Sequence, residues 1–320
     1  MVASFLFRGI RTLIVVLMFL STFLLTTGDV IAAASASVVP GLSIAITEPS
    51  DGATVDKRMT LVRGTFSWES GDVGIVVNGV PAEVSGRQWY ANNVMLVVGA
   101  NTITATITDA SGNSKSTSIT VNTTTTDNIV ILEPTISNGL APLTTSFNVL
   151  KNLPNGVTGY AIDFEGDGSI DYTATEFRGV NHTYTTPGVY YPTITLTDSA
   201  GNTYTDSIAI TVLDETETDA MLKGKWNSMK AAFVAGDIEG GLQYICAGSR
   251  DDYRNALQFL GDRMPVIFSS MQEISLIYVR NGVAKYRITQ YEVIDGSSVD
   301  IAYYIYFERD TDGVIRVNRF

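Results

Sequence analysis

One eight-residue block occurs twice in this chain of 320 residues and constrains its fold more than any other feature. Residues 106–113 read Thr-Ile-Thr-Asp-Ala-Ser-Gly-Asn, residues 195–202 read Thr-Leu-Thr-Asp-Ser-Ala-Gly-Asn, and a Thr- and Ser-rich run follows each copy. The Asp and Asn side chains bond to the local backbone and the Gly supplies a positive φ, so the block is typical of a β-hairpin. Asp109 and Asp198 lie 89 residues apart, which is about the length of one β-sandwich. The block therefore predicts two sandwiches in tandem.

The first copy ends a segment whose turn residues follow a recognisable order. These are Pro49-x-x-Gly52, Gly64 after the second predicted strand, Val77-Asn-Gly79, and Gly99-x-Asn101-x-Ile103 leading into the repeated block. On these residues the segment resembles bacterial Ig-like domains of the glucodextranase domain B type. The resemblance implies a β-sandwich over residues 41–122 that acts as a spacer or accessory module without catalytic residues.

The second copy ends a segment that contains four separated motifs in a fixed order. They lie at residues 138–147, 163–168, 182–190 and 194–198. Together they resemble a PKD domain, an Ig-like sandwich common on cell surfaces, over residues 128–213. Tyr160 and Ile162 stand where that family often has a Trp. The resemblance implies that His182 and Tyr184 are structural residues beside a turn at Pro187 and Gly188.

Four carboxylates crowd one turn of this second segment. Asp163, Glu165, Asp167 and Asp171 alternate with glycine and serine. Ca²⁺ prefers several oxygen ligands, and glycine allows the backbone to curl so that alternate side chains converge. Ala174 stands where a calcium loop of the EF-hand type has its bidentate Glu, and a strand precedes the turn, so an EF-hand is excluded. Two interpretations remain, a weak extracellular-type Ca²⁺ site and a solvated acidic hairpin tip.

The remaining residues, 214–320, change from a helical to a strand pattern. Residues 214–219 are predicted as an acidic hinge that also places favourable negative charge at the N-terminus of a first helix. Further helices are predicted at 242–246 and 250–260, and strands at 273–280, 283–294, 298–309 and 314–320, separated by Asn-Gly and Asp-Gly turns. Helices followed by an antiparallel meander resemble the NTF2-like, cone-shaped α+β fold, which implies a pocket for a small ligand, for dimerisation or occasionally for catalysis. The fold class is thus multidomain, with two all-β Ig-like sandwiches followed by an α+β domain.

The first residues of the chain form a targeting pattern. Arg8 and Arg11 precede an apolar run at residues 12–25, and small residues follow at 32–37. The run is shorter than the roughly 20 residues of a membrane-spanning helix, which favours a cleaved signal peptide at residues 1–34. A retained anchor is the alternative. Cleavage would leave no membrane span and an exported protein, either periplasmic, on the cell surface or extracellular.

Composition excludes several kinds of chemistry. The chain has 21 Lys and Arg against 33 Asp and Glu, a net charge of −12, and an acidic surface repels nucleic acid. With one His and one Cys, it cannot form a disulfide framework or a His- or Cys-rich metal centre. Cys246 is predicted to be a buried apolar residue. No catalytic residue and no cofactor other than Ca²⁺ is predicted.

These features predict an exported, non-catalytic binding or adhesion protein of the cell envelope. Its sandwiches would act as spacers and as modules that contact protein or polysaccharide. One alternative is an accessory protein that binds or converts a small molecule in the C-terminal pocket, and another is a purely structural spacer. Glycan binding predicts accessible aromatic side chains, with Trp68, Trp89 and Tyr90 as candidates. The oligomeric state is left open.

Overall fold

The computed structural model describes residues 41–320, except 70, 126, 128, 129, 295 and 296, and it describes only the backbone of residues 290–300. The predicted signal peptide at residues 1–34 lies outside the described residues. None of the helices in the described part is long and apolar enough to cross a membrane.

The first part of the chain is a sandwich of two four-stranded sheets with strand orders β1-β2-β6-β5 and β4-β3-β7-β8. Its strands are β1 (Ser43–Glu48), β2 (Met59–Ser67), β3 (Val73–Val77), β4 (Val80–Pro81), β5 (Glu83–Ser85), β6 (Gln88–Met95), β7 (Gly99–Asp109) and β8 (Ser114–Thr123). Along β7, Ile103, Ala105 and Ile107 are buried and alternate with more exposed Thr residues. This period of two places one face of the strand in a core that includes Trp89, Val62 and Ile75.

The second part is also a sandwich, with a three-stranded sheet β14-β11-β9 facing a four-stranded sheet β13-β12-β16-β17. Its strands are β9 (Val130–Pro134), β10 (Asn138–Leu140), β11 (Leu143–Lys151), β12 (Val157–Asp163), β13 (Tyr172–Ala174), β14 (Val180–Tyr184), β15 (Gly188–Tyr190), β16 (Thr193–Asp198), β17 (Thr203–Ser207) and β18 (Ile210–Leu213). It has its own core around Phe147, Ile162 and Tyr184.

The repeated block has the same geometry in both sandwiches. Asp109 Oδ1 accepts hydrogen bonds from the backbone N–H groups of Ser111 at 2.9 Å and Asn113 at 2.8 Å. Asp198 Oδ1 accepts the equivalent bonds from Ala200 and Asn202 at the same two distances. The hairpin prediction is therefore confirmed at both sites.

The C-terminal part consists of helices followed by four antiparallel strands. The elements are α1 (Glu215–Val234), α2 (Ile238–Leu242), α3 (Arg250–Leu260), α4 (Met264–Ser270), β19 (Ser275–Arg280), β20 (Val283–Ile294), β21 (Ser297–Arg309) and β22 (Ile315–Arg319). The helices pack on one face of these strands, where Ile305 and Phe307 are buried with Trp226 and Phe233 of α1. The predicted fold class, two all-β sandwiches followed by an α+β part, is confirmed.

Two local predictions in this part are wrong. Residues 214–219 form no hinge, because Asp214 caps α1 by accepting a hydrogen bond from the Glu217 backbone N–H at 2.8 Å and the helix begins at Glu215. The other half of that prediction, negative charge at a helix N-terminus, is confirmed. The second helix starts earlier than predicted, because Asp237 caps it through the Gly240 backbone N–H at 2.8 Å. The acidic residues there are thus helix caps and first-turn residues.

The second sandwich and the C-terminal part share a sheet. β15, β18 and β10 continue into β19, β20, β21 and β22, giving seven strands in that order. The junction is the pair Gly139 and Arg280, and the Asn281 backbone N–H donates to Asn138 O at 2.8 Å. The sheet therefore crosses from one part of the chain to the next.

The first sandwich contacts both other parts through polar side chains. Asn92 exchanges two hydrogen bonds of 2.9 Å with the backbone of Ala209, and Lys57 forms an ion pair with Asp206 at 2.8 Å. On the other side, Gly74 lies so close to residues 312–314 that an added Cβ would be 2.2 Å from the Val314 backbone N. The three parts thus pack directly against each other.

Candidate functional site

The acidic turn follows β12, and its first carboxylate is buried. Asp163 is 5% exposed, and its two oxygens accept hydrogen bonds from the backbone N–H groups of Gly166 at 2.6 Å and Gly168 at 2.7 Å. Both glycines have a positive φ, which curls the turn around this carboxylate. Asp163 therefore organises the turn through hydrogen bonds to its backbone.

Three of the four predicted ligands come together. Asp163, Glu165 and Asp171 each offer an oxygen, and these atoms lie within 4.8 Å of one another. Asp167 is not in this group, and its Oδ1 accepts from the Ser169 backbone N–H at 2.8 Å. Burial, and then the nearby Asp171, raise the pKa of Glu165. The turn therefore concentrates negative charge without using Asp167.

Backbone N–H groups donate hydrogen bonds to these carboxylates and account for much of their arrangement. Asp171 Oδ2 accepts from the Phe164 backbone N–H at 2.7 Å, in addition to the two bonds that hold Asp163. A turn stabilised in this way forms from the protein's own groups. Binding of Ca²⁺ stays a prediction, with Asp163, Glu165 and Asp171 as the oxygens that would meet the ion.

His182 packs beside this turn. Its ring stacks on Phe164, with the ring centroids 4.3 Å apart, and its Nε2 lies 3.1 Å from Glu165 Oε1. Burial lowers the pKa of His182 below its usual value, which favours the neutral ring. The Tyr184 hydroxyl, next along the same strand, donates to Phe164 O at 2.9 Å. Both residues have the packing and hydrogen-bonding environment that the resemblance implied.

Cys246 is buried, as predicted, and burial raises the pKa of its thiol to about 12. A thiol in that state is protonated at neutral pH and is a poor nucleophile. The residue is a small apolar member of the fold.

The three aromatic candidates for glycan contact have different environments. Trp89 and Tyr90 are 0% and 1% exposed and belong to the interior, so an accessible face built on them is excluded. Trp68 is half-buried and lies at a cleft that the sequence did not indicate.

This interdomain cleft lies where the three parts meet and has a volume of about 470 Å³. The first sandwich contributes Phe66 and Trp68, the second contributes Asn138 and Leu213, and the C-terminal part contributes α1 and the sheet residues Phe307 and Arg309. Ligand sites in proteins are commonly clefts of a few hundred Å³ at domain junctions. The cleft therefore has the size and position of a binding site.

Ion pairs hold the walls of the interdomain cleft. Lys225 of α1 is 8% exposed and pairs with Asp72 of the first sandwich, while its Nζ also donates to Ile315 O at 3.0 Å. Desolvation by burial lowers the pKa of Lys225, and Asp72 opposes that effect. Arg309 Nη2 donates to Glu83 Oε2 at 2.5 Å, and Asn138 Nδ2 donates to the same oxygen at 3.0 Å. Glu83 thus joins all three parts.

Two polar atoms at the interdomain cleft are buried without a hydrogen-bond partner in the described part of the chain. They are Trp68 Nε1, a donor, and Asn138 Oδ1, an acceptor. Trp68 Nε1 lies beside Gly71, another residue of the cleft wall, at 3.8 Å from the position of an added Cβ. Unpaired buried polar groups are costly and mark places where a ligand or water supplies the missing bond.

A second cavity lies inside the C-terminal part, between its helices and its sheet. It has a volume of about 100 Å³ and is lined mainly by apolar side chains, including Trp226, Leu257, Phe268 and Ile305. Trp226 Nε1 is buried without a hydrogen-bond partner among the described residues. At about 30 Å³ per water molecule, this volume suits only a few waters or a very small ligand.

The sequence did not reveal the interdomain cleft, whereas the NTF2-like resemblance implied a pocket in the C-terminal part. The interdomain cleft is built by residues from three segments that are far apart in the chain, and each of them also fits an ordinary surface or core position. The tryptophan at position 68 was the one cleft residue named from sequence, because aromatic side chains are common in glycan sites.

Two family profiles match the chain. Residues 40–125 match glucodextranase domain B, and residues 134–212 match the PKD domain. Both of the predicted sandwich families are thereby confirmed for their segments. The NTF2-like resemblance of residues 214–320 stays a prediction. No curated protein matches the chain.

Several solved structures are similar in part. The fibronectin(III)-like modules of CbhA from Clostridium thermocellum are 14% identical, with 54% of this chain and 96% of that chain covered and a TM-score of 0.23. The PKD1 domain of the Vibrio cholerae metalloprotease PrtV is 24% identical, with 26% and 90% covered and a TM-score of 0.20. SGBP-B of the Bacteroides ovatus mixed-linkage glucan utilization locus, solved with a mixed-linkage heptasaccharide, is 18% identical, with 54% and 47% covered and a TM-score of 0.20.

Proposed function

We propose that this protein is an exported, non-catalytic binding protein of the cell envelope, and that its ligand enters the interdomain cleft. The observation that carries the proposal is the cleft of about 470 Å³, whose walls combine aromatic, apolar and charged side chains from all three parts. Ig-like and PKD domains are typical of extracellular proteins, which supports export. Separate hydrophobic clusters within 41–122, 128–213 and 214–320 support three domains with these boundaries.

The chemistry of the interdomain cleft favours a neutral, hydroxyl-rich ligand. Its charged wall residues balance in sign, with Glu69, Asp72 and Glu217 against Arg87, Lys225 and Arg309. A neutral ligand needs no compensating charge there, and its hydroxyl groups can both donate to and accept from polar side chains of the wall. The apolar side chains of the wall suit the C–H faces of sugar rings. A segment of neutral polysaccharide fits these requirements.

The same walls support a binding role. The Asp72 and Glu83 carboxylates are held by Lys225 and Arg309, so they are committed as hydrogen-bond acceptors in ion pairs. A general base needs a carboxylate placed against a substrate proton, with a pKa matched to the task. The Asp72 and Glu83 carboxylates, held in these ion pairs, therefore fix the position of the cleft walls and support binding.

The test compares two charge insertions in the full mature chain. Met221 lines the interdomain cleft and is 40% exposed, whereas Met95 is 50% exposed in the first sandwich and does not line it. Neutral soluble polysaccharides are titrated calorimetrically against the parent, Met221→Arg and Met95→Arg. We expect Met221→Arg to lower affinity about tenfold or more, and Met95→Arg to leave it unchanged. Equal affinities of the two variants, or no binding of any neutral glycan by the parent, would refute the proposal.

A second candidate function rests on the apolar cavity of the C-terminal part. The unpaired Trp226 N–H there favours a very small ligand with one acceptor. Native mass spectrometry of the full mature chain would show a non-covalent adduct that Trp226→Phe releases. An adduct retained by Trp226→Phe, or an empty parent, would count against this function.

A further inference from the structure

The sheet of the C-terminal part has a second face, opposite the helices, where tyrosines and cations alternate across four strands. Tyr278 of β19 pairs in register with Lys285 of β20, Lys285 with Tyr306 of β21, and Tyr306 with Arg319 of β22. In the neighbouring row, Arg287 pairs with Tyr304. We call these residues, with Arg280, the cationic tyrosine face.

The cations of this face lie over the tyrosine rings. Lys285 Nζ is 4.0 Å from the centroid of Tyr304, and the Arg319 guanidinium carbon is 4.2 Å from that of Tyr306. These distances are in the range of favourable cation–π interactions. Tyr304 is 39% exposed, so the arrangement is open to solvent. The rings hold the cations in place at the surface.

The cations of this face lack acidic partners. Among the described residues, no carboxylate forms an ion pair with Arg280, Lys285, Arg287 or Arg319. Within the part of the chain that the structure describes, eight other Lys and Arg residues pair with Asp or Glu, which are in excess in a chain of net charge −12. Glu308 of β21 lies on the same face as Tyr304 and Tyr306, and its negative charge offsets one positive charge of the face. The face remains a positive area on an acidic protein.

We propose that the cationic tyrosine face binds an acidic polysaccharide. Four strands at about 4.8 Å spacing give a face about 15 Å wide, which suits a single extended chain. Lys285 and Arg319 lie two strands apart, about 10 Å, so successive carboxylates of one chain can meet successive cations. The tyrosine rings between them offer apolar surface to sugar C–H groups.

The acidic remainder of the protein disfavours larger anionic surfaces. A membrane or a nucleic-acid duplex of wide extent would face the negative surroundings of this area within a Debye length of about 8 Å. A single polysaccharide chain contacts the face without approaching those surroundings. This face is separate from the interdomain cleft. The ligand proposed for the face is acidic, whereas the ligand proposed for the cleft is neutral.

The experiment uses the full mature protein and immobilised polygalacturonate, with binding followed by interferometry at several salt concentrations. The double variant Lys285→Ala with Arg319→Ala removes two charges from the face. Its control, Lys115→Ala with Arg178→Ala, removes two exposed charges from the sandwiches. We expect the parent to bind, to weaken as salt rises, and to lose about tenfold or more in affinity in the first variant only.

Several outcomes would overturn the proposal. They are absence of polygalacturonate binding by the parent, an equal loss in the control, and equally tight binding to neutral dextran. Binding to anionic vesicles that competes equally with polygalacturonate would assign the face to a membrane instead. Sedimentation that shows a parent dimer dissociated by Lys285→Ala with Arg319→Ala would assign it to a second copy. Unchanged melting temperatures establish that the variants are folded, and failure of this test leaves the cleft proposal unaffected.

Discussion

Replacing Glu83 with Ala removes the side chain that joins all three parts of the molecule. Its carboxylate accepts from Arg309 Nε at 3.2 Å, from Arg309 Nη2 at 2.5 Å and from Asn138 Nδ2 at 3.0 Å. The side chains of Arg309 and Glu83 are 14% and 20% exposed. The variant therefore leaves one amide N–H without an acceptor, and a largely buried guanidinium whose remaining hydrogen bond runs from Nη1 to Gly313 O at 3.4 Å.

The magnitude follows from that burial. Removing one member of a fully buried ion pair costs about 3–5 kcal/mol, and an unpaired N–H adds about 1 kcal/mol. Because this pair keeps some contact with water, we discount the sum to about 2–4 kcal/mol. For a protein of this size, with an unfolding entropy of about 0.6 kcal/mol/K, that lowers the melting temperature by about 3–7 °C. The lost free energy of unfolding comes from the interdomain contacts and not from the sandwich cores.

Differential scanning calorimetry of the full chain measures this effect. The matched control is Glu48→Ala, which breaks the ion pair with Arg63 inside the first sandwich, where Glu48 is 54% exposed. An exposed pair contributes about 0–1 kcal/mol, so the control should shift the melting temperature little. If Glu83→Ala and Glu48→Ala give the same shift, the three-way junction does not stabilise the molecule and the reasoning is wrong.

Three further predictions concern the contacts and the acidic turn. Gly74→Ala should separate the first sandwich from residues 312–314 and make the protein more sensitive to protease. The control Gly159→Ala should not, because the nearest neighbour of its new Cβ would be 3.9 Å away. Equal digestion rates of the two variants would contradict this prediction. Glu165→Gln should raise the melting temperature at pH 7. The pKa of the Glu165 carboxyl is raised in the folded state, so the protonated form stabilises the fold and this stabilisation is lost as pH rises through that pKa. The gain in melting temperature from the neutral Gln side chain should therefore shrink towards pH 4. A variant less stable than the parent at pH 7 would refute that sign. Added Ca²⁺ should raise the melting temperature of the parent and of Asp167→Ala, because Asp167 lies outside the group of three oxygens. It should not raise the melting temperature of Asp171→Ala. No rise in the parent would refute the calcium hypothesis.

Local patterns in the sequence predicted most of the fold. The repeated block specified both hairpins, because its Asp, Gly and Asn act on backbone atoms within four residues. The predicted helix at 250–260 and strand at 283–294 have the observed bounds, since periodicity and Asn-Gly turns depend on neighbouring residues alone. Asp214 shows the limit of such patterns, because an acidic run indicates a flexible hinge and a helix cap equally well.

The arrangement between the sandwiches and the C-terminal part had no local signal. Glu83 and Arg309 are 226 residues apart, and each looks like an ordinary surface charge in its own strand. Asp163, Glu165 and Asp171 were found from sequence because they lie within one turn. The interdomain cleft was not found, because its walls come from three separately folding patterns whose docking depends on a few long-range contacts.

The direct passage from β18 into α1 has a mechanical consequence. β18 ends at Leu213, Asp214 caps the helix and α1 begins at Glu215, so this junction has no slack. The first sandwich is instead joined to these two parts by side-chain contacts, such as Glu83 with Arg309 and Asn92 with Ala209. Under tension along the chain, the first sandwich would therefore be pulled away while the second sandwich and the C-terminal part transmit force as one rigid lever. Stretching would break these side-chain contacts before it separated the strands of a sheet.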